Sequence, residues 1–442
     1  MALSLIFLAH GRVPVWATKL EVPGVPWNNR PNDLYFLSQH ISDYREGPVN
    51  FYTMSIDHPA EELIATPVAY ISSDRALELS PQRMANLRRY LDLGGMLVAN
   101  PEQGSSAFHA SVMTLGEMLY PELQWQRAGE DHPLFSILFN IDHHRHTIQV
   151  LNNGVRDLIV LPQHDWGLAW QADRNLLAPE SRRDTGRLTM NLFALATNRG
   201  VLPNRLESDF ETRDADVQAQ GQVRIGIARH EGNWLIEPAV WDVAGNRLFN
   251  ATGLEARTVG LPEVPALGEA DDRGGGPVLD LSAIADSEVD LVHLQGIEAV
   301  PLGSSEIDAI RRYVEGGGTV LVETVGGRGE FARDVERQLR GVFDTRRALP
   351  VGAEDPLLSG EQIGGYDVGR ISFRRYTTFR LGLPPEPRLR AMYVDDRQRP
   401  GVIFSDEDLS LGALGVRRWG IIGYAAEDAR RLLTNIALTA RR

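Results

Sequence analysis

The chain has 442 residues, 43% apolar and 24% charged, with 59 acidic against 45 basic side chains, a formal charge of −14 and no cysteine. Such a length implies two or three domains, each able to bury its own core. The acidic balance argues against a nucleic-acid or anionic-membrane surface, which needs a basic footprint, and the missing cysteine removes disulfides, thiolate nucleophiles and cysteine-ligated metals together.

From the N-terminus, residues 3–9 are apolar and Val15-Trp16-Ala17 offers a small residue where a signal peptidase cuts, although no basic segment precedes it. Residues 1–16 therefore read as a signal segment shortened at its start, which would place the protein in the periplasm or outside the cell; the alternative is a buried first strand and a cytoplasmic protein. No run of about 20 apolar residues occurs, so no transmembrane span is expected.

The first domain is expected over 17–200. Residues 18–22 alternate like a half-buried strand, Pro23-Gly24 turns the chain, and Trp27-Asn28-Asn29-Arg30-Pro31 leads into a helix capped near Asn32. Residues 67–72 form an apolar run, and Ser80-Pro81 then opens a helix with Met84, Leu87 and Leu91 on one face. Gly94 closes that helix and residues 96–99 read as a buried strand. A further helix falls near 112–120, Asp131-His132-Pro133 makes a turn, and the strand over 157–161 delivers His164 and Asp165 to its end. A last helix carries Asn191.

The pattern then recurs. Arg88-Arg89-Tyr90 with Gly94-Gly95 matches Arg311-Arg312-Tyr313 with Gly317-Gly318 at an offset of 223. Trp27 and Pro31 match Trp234 and Pro238, Glu130-Asp131 and Pro133 match Glu354-Asp355 and Pro356, Asp165 matches Asp408, and Asn191 matches Asn435. Offsets that drift slowly while order is kept are what loop insertions produce between two copies of one domain. Residues 201–220, acidic and poor in apolar side chains, read as a linker, and 221–442 as a second, diverged copy. Apolar strands of four to six residues alternating with helices predict an α/β chain of two tandem, doubly wound, mostly parallel sheets flanked by helices.

The ordered set of Trp27-Asn28 with Pro31, Leu87 to Leu91 with Gly94-Gly95, Asp131-His132-Pro133, and the strand to Asp165 followed by Gly167 and Trp170 resembles the bacterial domain of unknown function (DUF) 4159 family. The resemblance covers about 15–200 and, more weakly, 221–442, where His132 has no expected counterpart. It implies a flavodoxin-like, class I glutamine-amidotransferase-like fold, supplies no established activity, and points to members with secretion or membrane-anchoring segments.

In doubly wound sheets, ligands bind beyond the carboxyl ends of the strands. Four loops of the first copy are expected to meet there, carrying Trp27 and Asn28, Ser72 to Asp74, Asn100 to Glu102, and His164 with Asp165. The ligand-binding candidates are thus Trp27, Asn28, Ser72, Asp131, His132, His164 and Asp165, with Trp234, Asp355 and Asp408 in the second copy. Structural readings stand beside these: each Trp plugs a core, Asp165 caps the following turn, and Asp131 starts one.

Glutaminase chemistry needs a cysteine and is excluded. Asp142-His143-His144-Arg145-His146 invites a metal, but His143 and His144 are expected to point apart in a solvated loop, so no metal or cofactor is expected. Gly326-Gly327-Arg328-Gly329 lacks the Lys-Ser/Thr of a phosphate loop and reads as a flexible turn. The leading expectation is a non-catalytic binding or scaffold protein that holds a polar small molecule or a protein partner. The alternatives are a hydrolase of a sugar or amide bond using Asp165 with His164 or His132, and a structural component of a membrane-associated complex.

Overall fold

The computed structural model describes residues 13–172, 180–202, 210–271, 276–343, 347–394 and 399–441, with side chains of the helix at Glu180–Ala196 described from 184 onward. The chain divides into two compact units, Met1–Asp209 with Val264–Ala270 and Arg417–Trp419, and Phe210–Glu263 with Asp271–Val416 and Gly420–Arg442. The apolar stretch at 3–9 lies outside the described residues, as do 203–209 of the expected linker. Trp16 and Ala17, expected beside a cleavage site, lie instead within the first strand, 1% and 0% exposed. The described end of the linker is not free chain either. Glu211 accepts from Arg247 at 2.8 Å and Asn250 at 3.2 Å, which fastens it to the helix Val240–Thr252 of the second unit.

The first sheet contains β1 (Val15–Glu21), β2 (Asn50–Ser55), β3 (Val68–Ser73), β4 (Met96–Pro101), β5 (Trp125–Arg127), β6 (Ile148–Asn152) and β7 (Asp157–Pro162) in the order β2-β1-β3-β4-β7-β6-β5. Five strands are parallel, while β5 and β6 extend the edge antiparallel. The central strands β3, β4 and β7 are buried at every position, as helices on both faces require.

The second sheet contains β8 (Gly221–Arg229), β9 (Leu254–Val259), β10 (Leu279–Asp280), β11 (Leu291–Gly296), β12 (Thr319–Thr324), β13 (Leu349–Pro350), β14 (Arg390–Val394) and β15 (Arg399–Ser405). Its order is β10-β8-β11-β12-β15-β14-β13, with β9 parallel to β8, and β13 and β14 again antiparallel. Apart from β10, which has no counterpart in the first sheet, the two halves share one topology strand for strand. The duplication read from the sequence is a duplication of fold.

The repeated motifs are mostly packing devices. Gly94 and Gly317 close their helices at φ of +107° and +97°, a conformation that favours glycine. The next residue, Gly95 or Gly318, leaves room for a ring: a Cβ there would sit inside the ring of Tyr90 or Tyr313. Those hydroxyls reach back to the Thr66 and Val289 carbonyls, each at 3.2 Å. An arginine entering the strand completes the corner, Arg156 donating to the Gly95 carbonyl at 3.0 Å and Arg399 to that of Gly318 at 3.3 Å. Overpacking of this kind costs about 1–3 kcal/mol. Gly95→Ala and Gly318→Ala are each expected to lose that much in denaturant unfolding, and an unchanged midpoint would contradict the packing described.

The Asp131 and Asn191 motifs likewise belong to one device. Asn191 accepts from the Leu138 and Phe139 N–H groups at 3.0 and 2.9 Å and donates to the Leu134 carbonyl at 2.8 Å. Asn435 accepts from Tyr366 N–H at 2.8 Å and donates to the Leu357 carbonyl at 2.9 Å. Each buried amide pins an otherwise irregular loop to the last helix.

The glycine run at 326–329 departs from the flexible turn expected. Gly326 and Gly327 have φ of +78° and +64°, and a Cβ on Gly327 or Gly329 would run into the carbonyl of Ile422 or Ile297. It is a close backbone approach.

Candidate functional site

The carboxyl ends of β1, β3, β4 and β7 are tied together by side chains from four loops. Asn29, after β1, donates its amide to Glu102 Oε2 at 2.9 Å and to Asp74 Oδ1 at 3.3 Å. Ser72, at the end of β3, donates to Glu102 Oε1 at 2.9 Å, and Asn100, in β4, donates to Ser72 Oγ at 3.2 Å. The Asn100 carbonyl oxygen accepts from Trp166 N–H at 2.7 Å, so the loop beyond β7 is joined to the same knot.

Asp165 is the centre of the arrangement. Oδ2 accepts from Arg30 at 2.6 Å and from Gln103 N–H at 2.8 Å; Oδ1 accepts from Asn100 at 3.0 Å and from Leu168 N–H at 2.8 Å. Burial alone would raise this carboxyl, but the Arg30 bond and the backbone and amide donors hold it below the ordinary aspartate range. It caps the helix Trp166–Ala172, as one reading expected, and also holds Gln103 at a φ of +53°, a strained position for a residue other than glycine. A carboxylate with four donors on it is poorly placed to accept a proton from a substrate.

Beneath Arg30, β1 carries Lys19, 2% exposed, which donates to Asp33 Oδ1 at 2.7 Å and to the Arg30 carbonyl at 2.6 Å. Burial raises the Asp33 carboxyl, against the pull of Lys19. Three buried polar atoms in this crevice have no hydrogen-bond partner: Tyr70 Oη, Asp33 Oδ2 and Arg30 Nε. Burial, then the Asp33 charge, pushes the Tyr70 phenol well above its usual value, and its hydroxyl lies close enough to sense Asp33 and Ser72 while making a directed bond to neither. Tyr70 and Asp33 are a donor and an acceptor within reach of each other, so of the three atoms Arg30 Nε is the one left without a complementary group.

The second copy keeps the frame and changes the charges. Asp408 stands where Asp165 does and accepts from Gly326 N–H at 2.8 Å, as Asp165 does from Gln103, and from Gly412 N–H at 3.0 Å. Glu323 replaces Asn100: Oε1 accepts from the Leu409 and Ser410 N–H groups at 2.7 and 2.8 Å. Its Oε2 accepts from Ser410 Oγ at 2.6 Å and from His293 Nε2 at 2.8 Å. His293 replaces Tyr70, and the Trp241 indole, which can only donate, bonds its Nδ1 at 3.1 Å and so fixes the proton on Nε2. Glu237 takes the position of Arg30, and Gln295 bridges to its backbone at 3.0 Å.

Each of these side chains except Trp241 is 0% exposed, and Trp241 is 1% exposed. Burial, followed by the charge of Glu323, pushes the Asp408 carboxyl up to about 8. Glu323, which burial alone would raise, is held down by His293 and Ser410. None of the unpartnered buried atoms among the described residues of this copy belongs to the cluster. Where the first copy has a charged crevice with unmet groups, the second has a closed, satisfied network.

The other expected residues separate. Trp27 is half-buried and Asn28 exposed on the turn after β1, at the same end of the sheet as Asp165, and Trp27 is no core plug. Trp234 is half-buried against the second core. His164 is exposed on the loop beside Asp165. Asp131 is exposed in a turn, while His132 caps the turn at Leu134 N–H and pairs with Asp157 Oδ1 at 3.2 Å. Asp157 opens β7, at the strand end opposite Asp165, so His132 cannot serve a reaction there. His132 also has a counterpart after all: Asp355 caps the matching turn at Leu357 N–H at 2.9 Å, and its Oδ2 accepts from the Tyr393 hydroxyl at 2.5 Å. The sequence match had set Asp355 against Asp131, one residue off.

Glu102 lies in a loop the sequence had placed here, as Glu323 does in the second copy, whereas Arg30, Asn29, Asp33 and Tyr70 were missed, as were His293 and Ser410. A signal was present: the repeated Trp-x-x-x-Pro carries Arg30 in one copy and Glu237 in the other, a charge reversal at a matched position.

No curated protein matches this chain. Among solved structures, one provisionally named a phosphosugar isomerase from Silicibacter pomeroyi DSS-3 is similar at 11% identity over 73% of this chain and 78% of that one, with a TM-score of 0.13, too low to carry an argument. The family model for a domain of unknown function, DUF4159, matches twice, at residues 17–197 and 277–438, the second match beginning well after β8. With its two tandem copies, the chain belongs to the DUF4159 family.

Proposed function

We propose that this is a non-catalytic binding protein whose first copy holds a hydroxyl-rich ligand, a carbohydrate in class, at the crevice between β1 and β3. The observation that carries this reading is the unpartnered Arg30 Nε beside Tyr70 Oη and Asp33 Oδ2, which meet each other without a well-directed bond. A sugar hydroxyl both donates and accepts, so one group can give to Asp33 and receive from Tyr70 or Arg30. Half-buried Trp27 on the adjoining turn offers an apolar face to the C–H side of a pyranose, with exposed Asn28, Asn29 and Asp74 on the rim. The second copy, with its counterparts saturated by its own side chains, binds none.

We propose a location outside the cytoplasm from the apolar stretch at 3–9, with any processing falling before β1; among the described residues no helix is long and apolar enough to cross a membrane. Saturation-transfer NMR on the full chain with a panel of mono- and disaccharides tests the binding. Tyr70→Phe and Trp27→Ala are each expected to weaken the best ligand on the order of tenfold, the worth of one hydrogen bond or one aromatic contact. Trp234→Ala should leave binding unchanged. Equal losses from the two tryptophan variants, or a panel with no ligand, would refute the assignment.

A further inference from the structure

We propose that Asp142, His143 and His144 form a site for a divalent transition-metal ion of the zinc class, at the end of the first sheet where its parallel strands finish. The sequence suggests that the two histidines diverge into solvent; the structure brings them together. Asp142 Oδ1 accepts from His144 N–H at 3.0 Å and closes a tight turn over His143–Arg145. The turn stacks the two imidazoles at 3.9 Å between centroids with 39° between planes, and Phe135 lies 6.0 Å from the His143 ring on its way to the core. One potential ligand atom from each of Asp142, His143 and His144 then lies within 4.8 Å of the others.

Ligands of a tetrahedral zinc ion sit about 3.3 Å apart, so the three donors need to close by only ~1.5 Å, within the reach of exposed side chains turning about their own bonds. Two imidazoles and a carboxylate suit zinc, nickel or copper better than calcium or magnesium, and three protein donors leave a fourth position open. Arg145 Nε, now 3.5 Å from Asp142 Oδ2, is on a side chain 52% exposed and has room to withdraw when a cation arrives.

A second observation points the same way. His146, two residues on, is 7% exposed, and its Nε2 has no hydrogen-bond partner. It adds a further imidazole to the same loop, two residues beyond His144 and outside the group of donors that lie within 4.8 Å of one another. Four of the chain's eleven histidines fall at 143, 144, 146 and 164, and the second copy has none in its matching loop.

Topology sets where this matters. Because β6 runs antiparallel to β7, its first residue, Ile148, pairs with Pro162, and Gln163 N–H donates to the Thr147 carbonyl at 2.9 Å. The turn therefore lies at the same end of the sheet as His164 and Asp165. The site would add, at this end of the sheet but three strands from β3, a Lewis acid that the second copy lacks.

Zinc titration of the full chain, with a chromogenic chelator as competitor, tests this, with visible absorption of the cobalt-substituted protein to report the geometry. One equivalent is expected to bind with tetrahedral cobalt bands. His143→Ala and His144→Gln should each weaken affinity on the order of 10- to 100-fold. His58→Ala, at an exposed histidine elsewhere in the first unit, should change nothing. His144 is exposed, so its variant keeps the fold while removing a donor. Unchanged affinity in the double His143/His144 variant, or an equal loss in His58→Ala, would overturn the site; sugar binding is read separately and need not follow it.

Discussion

Asp165→Ala is expected to destabilise the first unit by about 3–5 kcal/mol, the cost of leaving a buried charge without its partner. The alanine would strand Arg30, whose Nε is already unpartnered, together with the N–H groups of Gln103 and Leu168 and the amide of Asn100. Gln103 would also lose the contact that holds it at positive φ. Asp165→Asn keeps the shape and part of the acceptor capacity, and a loss of about 1–3 kcal/mol is expected. The pH signature follows from the depressed carboxyl. Its stabilising effect is full above the unfolded aspartate value near 4 and is lost as pH falls through the lower, folded one. Denaturant unfolding of the first unit, followed by tryptophan fluorescence, measures all three. Were Asp165 only a catalytic base in an open site, alanine would leave the unfolding midpoint where it is.

Asp408→Asn is expected to have the opposite dependence in the second unit. The Asp408 carboxyl is pushed up to about 8 when folded, so between about pH 4 and 8 the native state holds a proton that the unfolded chain releases. Stability of the second unit should therefore be greatest, as far as this group decides it, below pH 4, and should fall as pH rises toward 8, by about 1 kcal/mol per pH unit. Asparagine cannot ionise. At pH 5 it should cost about 1 kcal/mol, because its amide nitrogen faces the N–H of Gly326 or Gly412, while at pH 9 it should be more stable than the parent chain by a few kcal/mol. Subtracting the parent profile removes the contributions of Glu407, raised by burial, and Asp406, held down by Arg390. A difference that keeps one sign from pH 5 to pH 9 would show that Asp408 is ionised throughout.

Much of this was legible in the chain because the copies differ by loop length more than by pattern. The offset of 223 that aligns Tyr90 with Tyr313 also aligns Tyr70 with His293 and Asn100 with Glu323, since the strands on either side of one helix move with it. The ends of β3 and β4 were placed correctly for that reason, and the end of β7 by its own match of Asp165 with Asp408, at an offset of 243. What the pattern hid was how each position is used. A tryptophan after a strand reads the same whether it packs on a core, as Trp234 partly does, or stands half-buried on a turn, as Trp27 does, because burial is settled by neighbours distant in sequence. Glycines at 326–329 read as flexibility, whereas their cause is close backbone approach. His132 was set beside Asp165 on chemistry alone; only the strand direction shows that Asp157 and Asp165 lie at opposite ends of β7.

Duplication thus kept a carboxylate that knots the strand ends and let its surroundings diverge, Arg30 and Asn100 on one side, Glu237 and Glu323 on the other. The first arrangement is charged and has unmet polar atoms; the second is closed on itself. Carbon NMR of aspartate carboxyl groups, in protein labelled at that atom and titrated from pH 3 to 10, reads both sites at once. The resonance lost in Asp165→Asn should already be that of a carboxylate at the ordinary aspartate value, and the one lost in Asp408→Asn should change only as pH approaches about 8. If both titrate together near 4, the two copies share one electrostatic state, and the contrast drawn between them fails.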